Sequence, residues 1–218
     1  MNFLTQGFEL IENIILPNDM DDIHQEIDQL QEPDSAGIRH ADTKLSTLQQ
    51  LAKSSLVLQL VEYYMQDNPQ LMRCILFNKT AEQNWLVSWH QDKTLCMPRK
   101  FEHPDWGPWS IKDGLDHTQP PLHILNKMVT LRFHLDDNHR ENGCLKVLPE
   151  SHRQGILSTL QIQSLSETIA PTYCLAPKGS VLAMKPLLVH ASSKATKPDR
   201  RRVVHMEFVP TQLISAYL

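Results

Sequence analysis

Apolar residues recur at helical spacing in the first third of the chain. After Pro17 and a group of acidic residues, which favour a helix N-terminus, one face carries Ile23, Ile27 and Leu30. A second segment, residues 43–65, has leucines at similar spacing: Leu45, Leu48, Leu51, Leu56 and Leu60. The pattern predicts helices in this region, which ends at Pro69.

The pattern changes after residue 70, where short β-type runs alternate with turn signals such as Asn142-Gly143 and Lys178-Gly179. The runs are RCILF, WLVSW, MVTLRFHL, CLKVLP, TYCLAP, SVLAMKPLLVH and RRVVHMEFV. Helices followed by many strands predict an α+β fold with a β-sandwich or barrel as its main body. Residues 98–124, rich in Pro and Trp, are predicted to be an irregular functional loop or lid.

The length, net charge and cysteine content of the chain limit the classes of protein to which it could belong. A chain of 218 residues suits one domain, with residues 1–70 as a mostly helical flank and 71–218 as the core. The net charge of −4 gives no basic surface for nucleic acid, and no stretch reaches the ~20 apolar residues of a membrane span. With no signal peptide and four scattered cysteines, we expect a cytoplasmic protein with free thiols.

One histidine-aspartate pair follows an alternating apolar run. If 84–90 is a strand, His90 and Asp92 lie on the same face, with Trp85, Val87 and Trp89 on the other. Two adjacent side chains on one face could bind one metal. The same spacing recurs outside the β region and before a turn, in His40-Asp42 and His134-Asp136.

A third metal ligand is available at the end of another apolar run. SVLAMKPLLVHASS reads as a single strand that ends in His190. Two imidazoles and one carboxylate form the facial triad of non-haem Fe(II), which leaves coordination positions open for small molecules. The competing pair His134-Asp136 leaves few strands between itself and His190, so His90 and Asp92 are the favoured partners.

Three arginines begin the final strand-like run. Alternation directs Arg201 away from the side to which Arg200 and Arg202 point. An arginine inside a barrel could pair with the distal carboxylate of 2-oxoglutarate, whose keto-acid end chelates iron. The alternative is a solvated basic turn.

These motifs together resemble the phytanoyl-CoA dioxygenase family of Fe(II)- and 2-oxoglutarate-dependent oxygenases. The segments that carry the resemblance are WHQD, HLDDNHRENGCLKVLPESHRQG, and GSVLAMKPLLVHASS with KPDRRRVVH. The resemblance covers nearly the whole chain, more weakly over 31–70 and 98–125. It implies a double-stranded β-helix, or jelly roll, with flanking helices.

The resemblance also implies roles for individual residues. His90, Asp92 and His190 would bind Fe(II); Arg201 would anchor 2-oxoglutarate; Ser192 and Trp109 would contact it. The resemblance implies O2 as the other reactant, beside 2-oxoglutarate. The family's P-G-S-H reads Pro149-Glu150-Ser151-His152 here, and its G-D reads Gly179-Ser180. Retention of Asp92 favours hydroxylation over halogenation.

The substrate is inferred from one strand. Thr130, Arg132 and His134 share a face, and a buried arginine without a partner is costly. We therefore expect a small anionic substrate that contacts Arg132 or His134, unless Arg132 pairs with an internal carboxylate. Lys112 and Asp113 are further candidates in the loop.

Two other classes of protein remain open. A Zn(II) or Ni(II) hydrolase or isomerase with a cupin-like barrel would carry more histidines and need no deep arginine. A non-catalytic binding barrel would not need the intact triad.

Overall fold

The computed structural model describes residues 2–31, 35–112, 114–197 and 199–218. The α-helices within these ranges are α1 (Asn2–Gln6), α2 (Pro17–Asp28), α3 (Ala41–Lys44), α4 (Ser46–Lys53), α5 (Ser55–Met65), α6 (Leu122–Lys127), α7 (Thr159–Thr168) and α8 (Thr211–Ile214). Short 3₁₀ helices span Arg140–Asn142, Ser151–Gln154 and Ser215–Tyr217. No helix in the described ranges has the length and apolar character needed to cross a bilayer.

The strands are β1 (Phe8–Ile11), β2 (Gly37–Arg39), β3 (Pro69–Lys79), β4 (Val87–His90), β5 (Leu95–Met97), β6 (Trp109–Lys112), β7 (Leu115–Thr118), β8 (Val129–His134), β9 (Leu145–Val147), β10 (Thr172–Tyr173), β11 (Val181–Met184), β12 (His190–Ser192) and β13 (Arg201–Pro210). A six-stranded sheet has the order β1-β11-β8-β13-β3-β2, and a four-stranded sheet has the order β10-β9-β12-β4. Both are antiparallel, and both contribute side chains to one cavity between them.

Strand β13 shows how the larger sheet divides its two faces. Val204, Met206 and Phe208 point outward into a core shared with α2, α4 and α5. The alternate residues Arg201, His205 and Glu207 point inward and line the cavity. Because successive side chains of a strand point to opposite faces, one sequence run supplies both the helix-packing surface and the polar interior.

The predicted helical region of residues 43–65 contains a break. Ser54 ends α4, and its hydroxyl caps α5 by accepting from the backbone N–H of Val57. The break rotates the buried face, so that Val57 and Val61 are buried and Leu56 is exposed. A serine cap thus interrupts the helical repeat of the leucines.

The run SVLAMKPLLVHASS is two strands and not one. β11 belongs to the six-stranded sheet and β12 to the four-stranded sheet. Between them, Lys185 donates its backbone N–H to Gly7, and Pro186 has no N–H to continue a ladder. The chain therefore changes sheets here, and His190 begins the second strand.

A register shift in β4 corrects the predicted face of His90. His190 pairs with His90, but Ser192, two residues on, pairs with Val87, three residues away. The extra residue in β4 is a bulge, which restarts the alternation of side chains. As a result Trp85 and Val87 line the same cavity as His90, whereas Trp89 packs on the outside against Leu148 and Val189.

The loop predicted at 98–124 contains regular structure. β6 and β7 form a hairpin, and β7 pairs with β5 to make a three-stranded sheet. Phe101, Trp106 and Trp109 pack together with Tyr217 near the C-terminus. Cross-strand pairing and this aromatic cluster give the segment an ordered structure that its proline content did not predict.

Candidate metal centre

Three predicted ligands meet where β4 and β12 lie side by side. His90 Nε2 is 3.8 Å from Asp92 Oδ1, and His190 Nε2 is 3.5 Å from Asp92 Oδ2. The two imidazole ring centroids are 4.2 Å apart. One ligand atom from each of the three residues lies within 4.8 Å of the others. The fold thus gathers two imidazoles and one carboxylate around one point.

Backbone hydrogen bonds orient both histidines toward that point. His90 Nδ1 is 2.8 Å from the Ser88 carbonyl, and His190 Nδ1 is 2.8 Å from the Leu188 carbonyl. A carbonyl only accepts, so in each neutral ring Nδ1 carries the proton and Nε2 keeps its lone pair. Metal-binding histidines usually donate the proton of the other ring nitrogen to a backbone carbonyl or carboxylate in this way.

The site also favours the protonation states that a metal requires. Burial alone would raise the pKa of Asp92, but the surrounding histidines and Arg73 lower it well below its usual range. Burial lowers the pKa of His190 to about 3. At neutral pH the site therefore presents a carboxylate and a neutral imidazole. Asp92 Oδ2 is buried and has no hydrogen-bond partner among the described residues, as expected of a ligand atom.

A second group of possible ligands shares Asp92 with the first. Asp92, His205 and Glu207 also lie within 4.8 Å of one another. Arg132 Nη1, which can only donate, is 2.9 Å from His205 Nδ1, so the proton of a neutral His205 is on Nε2. That Nε2–H donates to Glu207 Oε1 at 2.9 Å. His205 therefore has no lone pair free for a metal, and the group of His90, Asp92 and His190 fits a metal better.

Arg201 lines the same cavity and lies beside Ser192. Its guanidinium donates to Asn138 Oδ1 at 3.2 Å and, at the long limit, to Ser192 Oγ at 3.5 Å, while its Nε has no partner among the described residues. Arg202 points the other way and forms a bidentate pair with Asp136, and Arg200 pairs with Asp28. The geometry follows the predicted alternation of the three arginines.

Of the three predicted substrate residues on β8, the structure brings only Arg132 to the cavity wall. Thr130 and His134 lie on the same inward face, but they are covered and do not line the cavity. Burial lowers the pKa of His134 to about 3, with Arg132 and Arg201 adding to the effect, so His134 is neutral and cannot attract an anion by charge. Arg132 has no carboxylate within 4.0 Å in the described part of the chain, which removes the alternative of an internal ion pair there.

Two predicted residues of the 98–124 segment differ in whether they lie near the cavity. Trp109 packs against Phe101, with ring centroids 5.0 Å apart, and does not line the cavity. Lys112 does lie in a wider depression of about 420 Å³ that shares Arg73 and Asp92 with the inner cavity of about 200 Å³. Asp113 lies outside the described residues.

Several polar residues of the site were missed in the sequence. His205 and Glu207 occupy the inward positions of β13 that follow Arg201 at intervals of two, so strand alternation alone could have identified them. Arg73 on the neighbouring β3 donates its Nε–H to Glu207 Oε2 at 2.9 Å. Lys79 belongs to no motif, and Gln91 occupies the position between His90 and Asp92 in WHQD, so only the tertiary structure reveals what their side chains contact.

The two facing sheets, with two histidines and a carboxylate at one end of the interior, define the jelly-roll class of metal-dependent oxygenases. The chain belongs to the phytanoyl-CoA dioxygenase (PhyH) family, whose model matches residues 3–203. The family is one of non-haem iron oxygenases that use 2-oxoglutarate. The predicted enzyme class and its Fe(II), 2-oxoglutarate and O2 are therefore confirmed at the level of the family. None of the curated protein sequences matches significantly.

Solved structures confirm the predicted double-stranded β-helix. EctD from S. alaskensis, crystallised with 2-oxoglutarate and 5-hydroxyectoine, is 15% identical over 97% of this chain and 74% of EctD, with a TM-score of 0.72. AviO1 from Streptomyces viridochromogenes Tue57 is 16% identical over 95% and 91% of the two chains, with a TM-score of 0.72. The non-heme alpha ketoglutarate dependent carbocyclase SnoK from nogalamycin biosynthesis is 12% identical over 96% and 82%, with a TM-score of 0.75.

Proposed function

We propose that this protein hydroxylates an unactivated C–H bond of a small, anionic organic molecule, using Fe(II) held by His90, Asp92 and His190. The observation that carries the proposal is the convergence of these three side chains, with both Nδ1 atoms committed to backbone carbonyls and Asp92 Oδ2 buried without a partner. Such a site is preorganised for a metal that keeps positions open for other ligands.

The chemistry comes from the bound groups. Fe(II) with 2-oxoglutarate and O2 supplies an oxidation in which 2-oxoglutarate leaves as succinate and CO2 and one oxygen atom enters the substrate C–H bond. The protein's own contribution is to position these molecules and to exclude water. Ile75, Phe77, Val87 and Leu145 supply apolar wall, which limits the entry of water around the three ligands.

Arg201 is our candidate for the group that anchors the distal carboxylate of 2-oxoglutarate. It is buried, it lines the cavity, and it has no carboxylate partner among the described residues. A guanidinium forms strong, directional hydrogen bonds with a carboxylate, and low dielectric strengthens them. Ser192, whose hydroxyl lies beside Arg201, would help to orient the same carboxylate.

Arg132 supports an anionic substrate. Its guanidinium lines the cavity 5.6 Å from the ring centroid of Phe77, with His205 as its hydrogen-bond acceptor. Burial lowers the pKa of Arg132, with Asp92 opposing the effect, and an arginine still stays charged. A carboxylate of the substrate would give this buried cation a partner. The structure of EctD with 5-hydroxyectoine offers a parallel of a small hydroxylated molecule bound by a relative.

The first test is an anaerobic titration of Fe(II) and 2-oxoglutarate into the metal-free protein, followed by visible absorption. We expect the weak charge-transfer band that appears when a 2-oxo acid chelates Fe(II). His190→Ala should abolish the band, and Arg201→Ala should require at least tenfold more 2-oxoglutarate, since a charged hydrogen bond contributes roughly 1.5–3 kcal/mol.

His123→Ala is the matched control, because His123 is exposed on α6, away from the cavity, and should leave the band unchanged. Iron binding without a band would contradict the 2-oxoglutarate chemistry. It would favour the alternative of a cupin-like metalloenzyme that is not an oxygenase. Absence of iron binding would point to a binding barrel. If the band forms, release of succinate in the presence of O2 and small organic acids then identifies the substrate.

A further inference from the structure

Lys79 is a buried cation that no motif predicted. It is the last residue of β3 and only 1% exposed. Its ammonium donates to the Ser193 carbonyl at 2.8 Å and to Ser192 Oγ at 3.3 Å, and it lies 5.3 Å from the centroid of the Trp85 ring. No carboxylate lies within 4.0 Å of it in the described ranges. A buried ammonium without a counter-charge is costly, so its retention calls for an explanation.

Strand register places Lys79 next to Arg201. The two residues are direct partners in the β3–β13 ladder, so their side chains lie on the same, inward face. Ser192 connects them, since its Oγ accepts from Lys79 Nζ and, at the long limit, from Arg201 Nη2, and donates to the Gly143 carbonyl at 2.8 Å. Like charges directly opposite on two strands are unfavourable unless an anion lies between them.

Within the part of the chain that the structure describes, no carboxylate is paired with Lys79 or Arg201. Glu207 is paired with Arg73, and Asp92 belongs to the three-ligand group. The positive charges of Lys79 and Arg201 therefore lie side by side in the β3–β13 ladder. Their hydrogen-bond acceptors are neutral oxygens: Asn138 and Ser192 for Arg201, and Ser192 and the Ser193 carbonyl for Lys79. A dicarboxylate that reaches from the metal to these two cations would supply the missing negative charge.

We propose that Lys79 is a second positive charge in the subsite for the distal carboxylate of 2-oxoglutarate, held beside Arg201 through the Ser192 hydroxyl. The inference rests on the proposed function. Lys79 does not line the cavity itself, so it acts as a positioning residue: it fixes Ser192 and attracts the carboxylate across a short distance in a medium of low dielectric.

Lys79 also links co-substrate affinity to pH. Burial and the neighbouring Arg201 lower the pKa of Lys79 to about 8, with Cys144 opposing the effect. The charged or titratable groups that act on it are Arg201 from β13 and Cys144 from the turn before β9, and burial raises the pKa of the Cys144 thiol. Lys79 is charged below about pH 8 in the free protein and loses that charge above it, so the affinity for a distal carboxylate should fall as pH rises through 8.

The experiment measures binding to the anaerobic Fe(II)-loaded protein by isothermal titration calorimetry, with two ligands. 2-Oxoglutarate has the distal carboxylate, whereas 2-oxopentanoate has the same 2-oxo acid end and lacks it. In Lys79→Met we expect 2-oxoglutarate to bind about tenfold more weakly, in the range for loss of one charged interaction, while 2-oxopentanoate binds as in the wild type. Lys146→Met, on the outside of the four-stranded sheet near Trp89, is the matched control and should change neither value.

Three results would overturn the proposal, and a fourth would overturn the function on which it rests. Equal weakening of both ligands in Lys79→Met would mean that Lys79 only maintains the local structure, and no change for either would mean that its charge is not used. A wild type that binds 2-oxopentanoate and 2-oxoglutarate equally well would refute the distal subsite, and one that binds neither would refute the proposed function itself.

The wild type provides a second, independent readout if Lys79→Met does not fold. We measure the ratio of the affinities for 2-oxoglutarate and 2-oxopentanoate from about pH 7 to 9.5. This ratio should decline above about pH 8. Titration at the metal site changes both affinities equally and therefore does not change their ratio. A preference that stays constant over this range would contradict a charged Lys79 in the subsite.

Discussion

Gln91 lies between His90 and Asp92, two of the three proposed metal ligands, and its hydrogen bonds hold the backbone that carries them. Its Nε2 donates to the carbonyls of Gly155 and Leu187, each at 2.8 Å, and its Oε1 accepts from the backbone N–H of Leu157 at 2.9 Å. The side chain is buried and its amide is well satisfied. These bonds join the turn between His90 and Asp92 to two other loops, so they fix the direction in which the ligands point.

We therefore expect Gln91→Ala to weaken Fe(II) binding about 10- to 100-fold, the usual effect of losing an outer-shell partner. It should also destabilise the protein by about 2–4 kcal/mol, because it leaves buried backbone groups unsatisfied. Competition with a chelator measures the affinity, and urea unfolding measures the stability. Gln163→Ala, on the exposed face of α7, is the control. Wild-type affinity in the Gln91 variant would show that the turn keeps its geometry without the amide.

At the scale of elements, the sequence predicted the regular alternation of side chains along strands better than the places where that alternation is interrupted. Alternation correctly separated Arg201 from Arg202, because β13 is long and has one face toward the helices and one toward the cavity. It failed at β4, where the bulge turns Val87 and His90 to one side. A bulge is set by the partner strand and leaves no local signature, so only the β4–β12 register reveals it.

The sequence indicates the left-handed backbone conformation at one turn residue and not at another. Gly143 of the Asn-Gly turn has φ 73°, and a side chain there would collide with the Ser193 carbonyl, so this glycine is required by position. Glu150 stands where the family usually has glycine, yet it keeps the left-handed conformation with φ 65°. Gln6 and Arg153 both donate to its carboxylate, which helps to offset the backbone cost.

The ion pair between Asp136 and Arg202 joins the end of β8 to the start of β13. Asp136 accepts from the Nε, the Nη2 and the backbone N–H of Arg202 at 2.7–2.9 Å, and the arginine side chain is 9% exposed. Because this pair fixes the residue next to Arg201, it also positions the start of the strand that carries the proposed anchor for 2-oxoglutarate.

Asp136→Asn should therefore lower the free energy of unfolding by about 2 kcal/mol, less than for a fully buried pair because Asp136 is partly exposed. Asp28→Asn, which breaks the more exposed pair with Arg200, should cost below about 1 kcal/mol. Urea unfolding of both variants makes the comparison. Equal effects would show that burial does not distinguish the two pairs.

On the scale of the whole molecule, the space between the two sheets has an apolar end and a charged end. Leu145, Val147, Leu182, Met184 and Leu188 form a packed cluster, while the charged residues gather around the three-ligand group. In the charged end Arg73 is neutralised by Glu207, and 2-oxoglutarate would match the metal and Arg201. Among the described residues that line the cavity, Arg132 then still has no anionic partner; it lies on β8, the neighbour of β13 in the same sheet.

This distribution of charge makes a prediction about substrate choice. Among small molecules that stimulate succinate release, an acid should be preferred over its uncharged amide, and Arg132→Met should remove that preference by weakening the acid about tenfold or more. Arg132→Lys, which retains the charge without the bidentate geometry, should keep part of it. Affinity for 2-oxoglutarate serves as the internal control and should change little, because its carboxylate is expected at Arg201. If Arg132→Met still prefers the acid, the substrate carboxylate binds elsewhere, and the cations at the mouth, Arg39 and Lys112, become the next residues to vary.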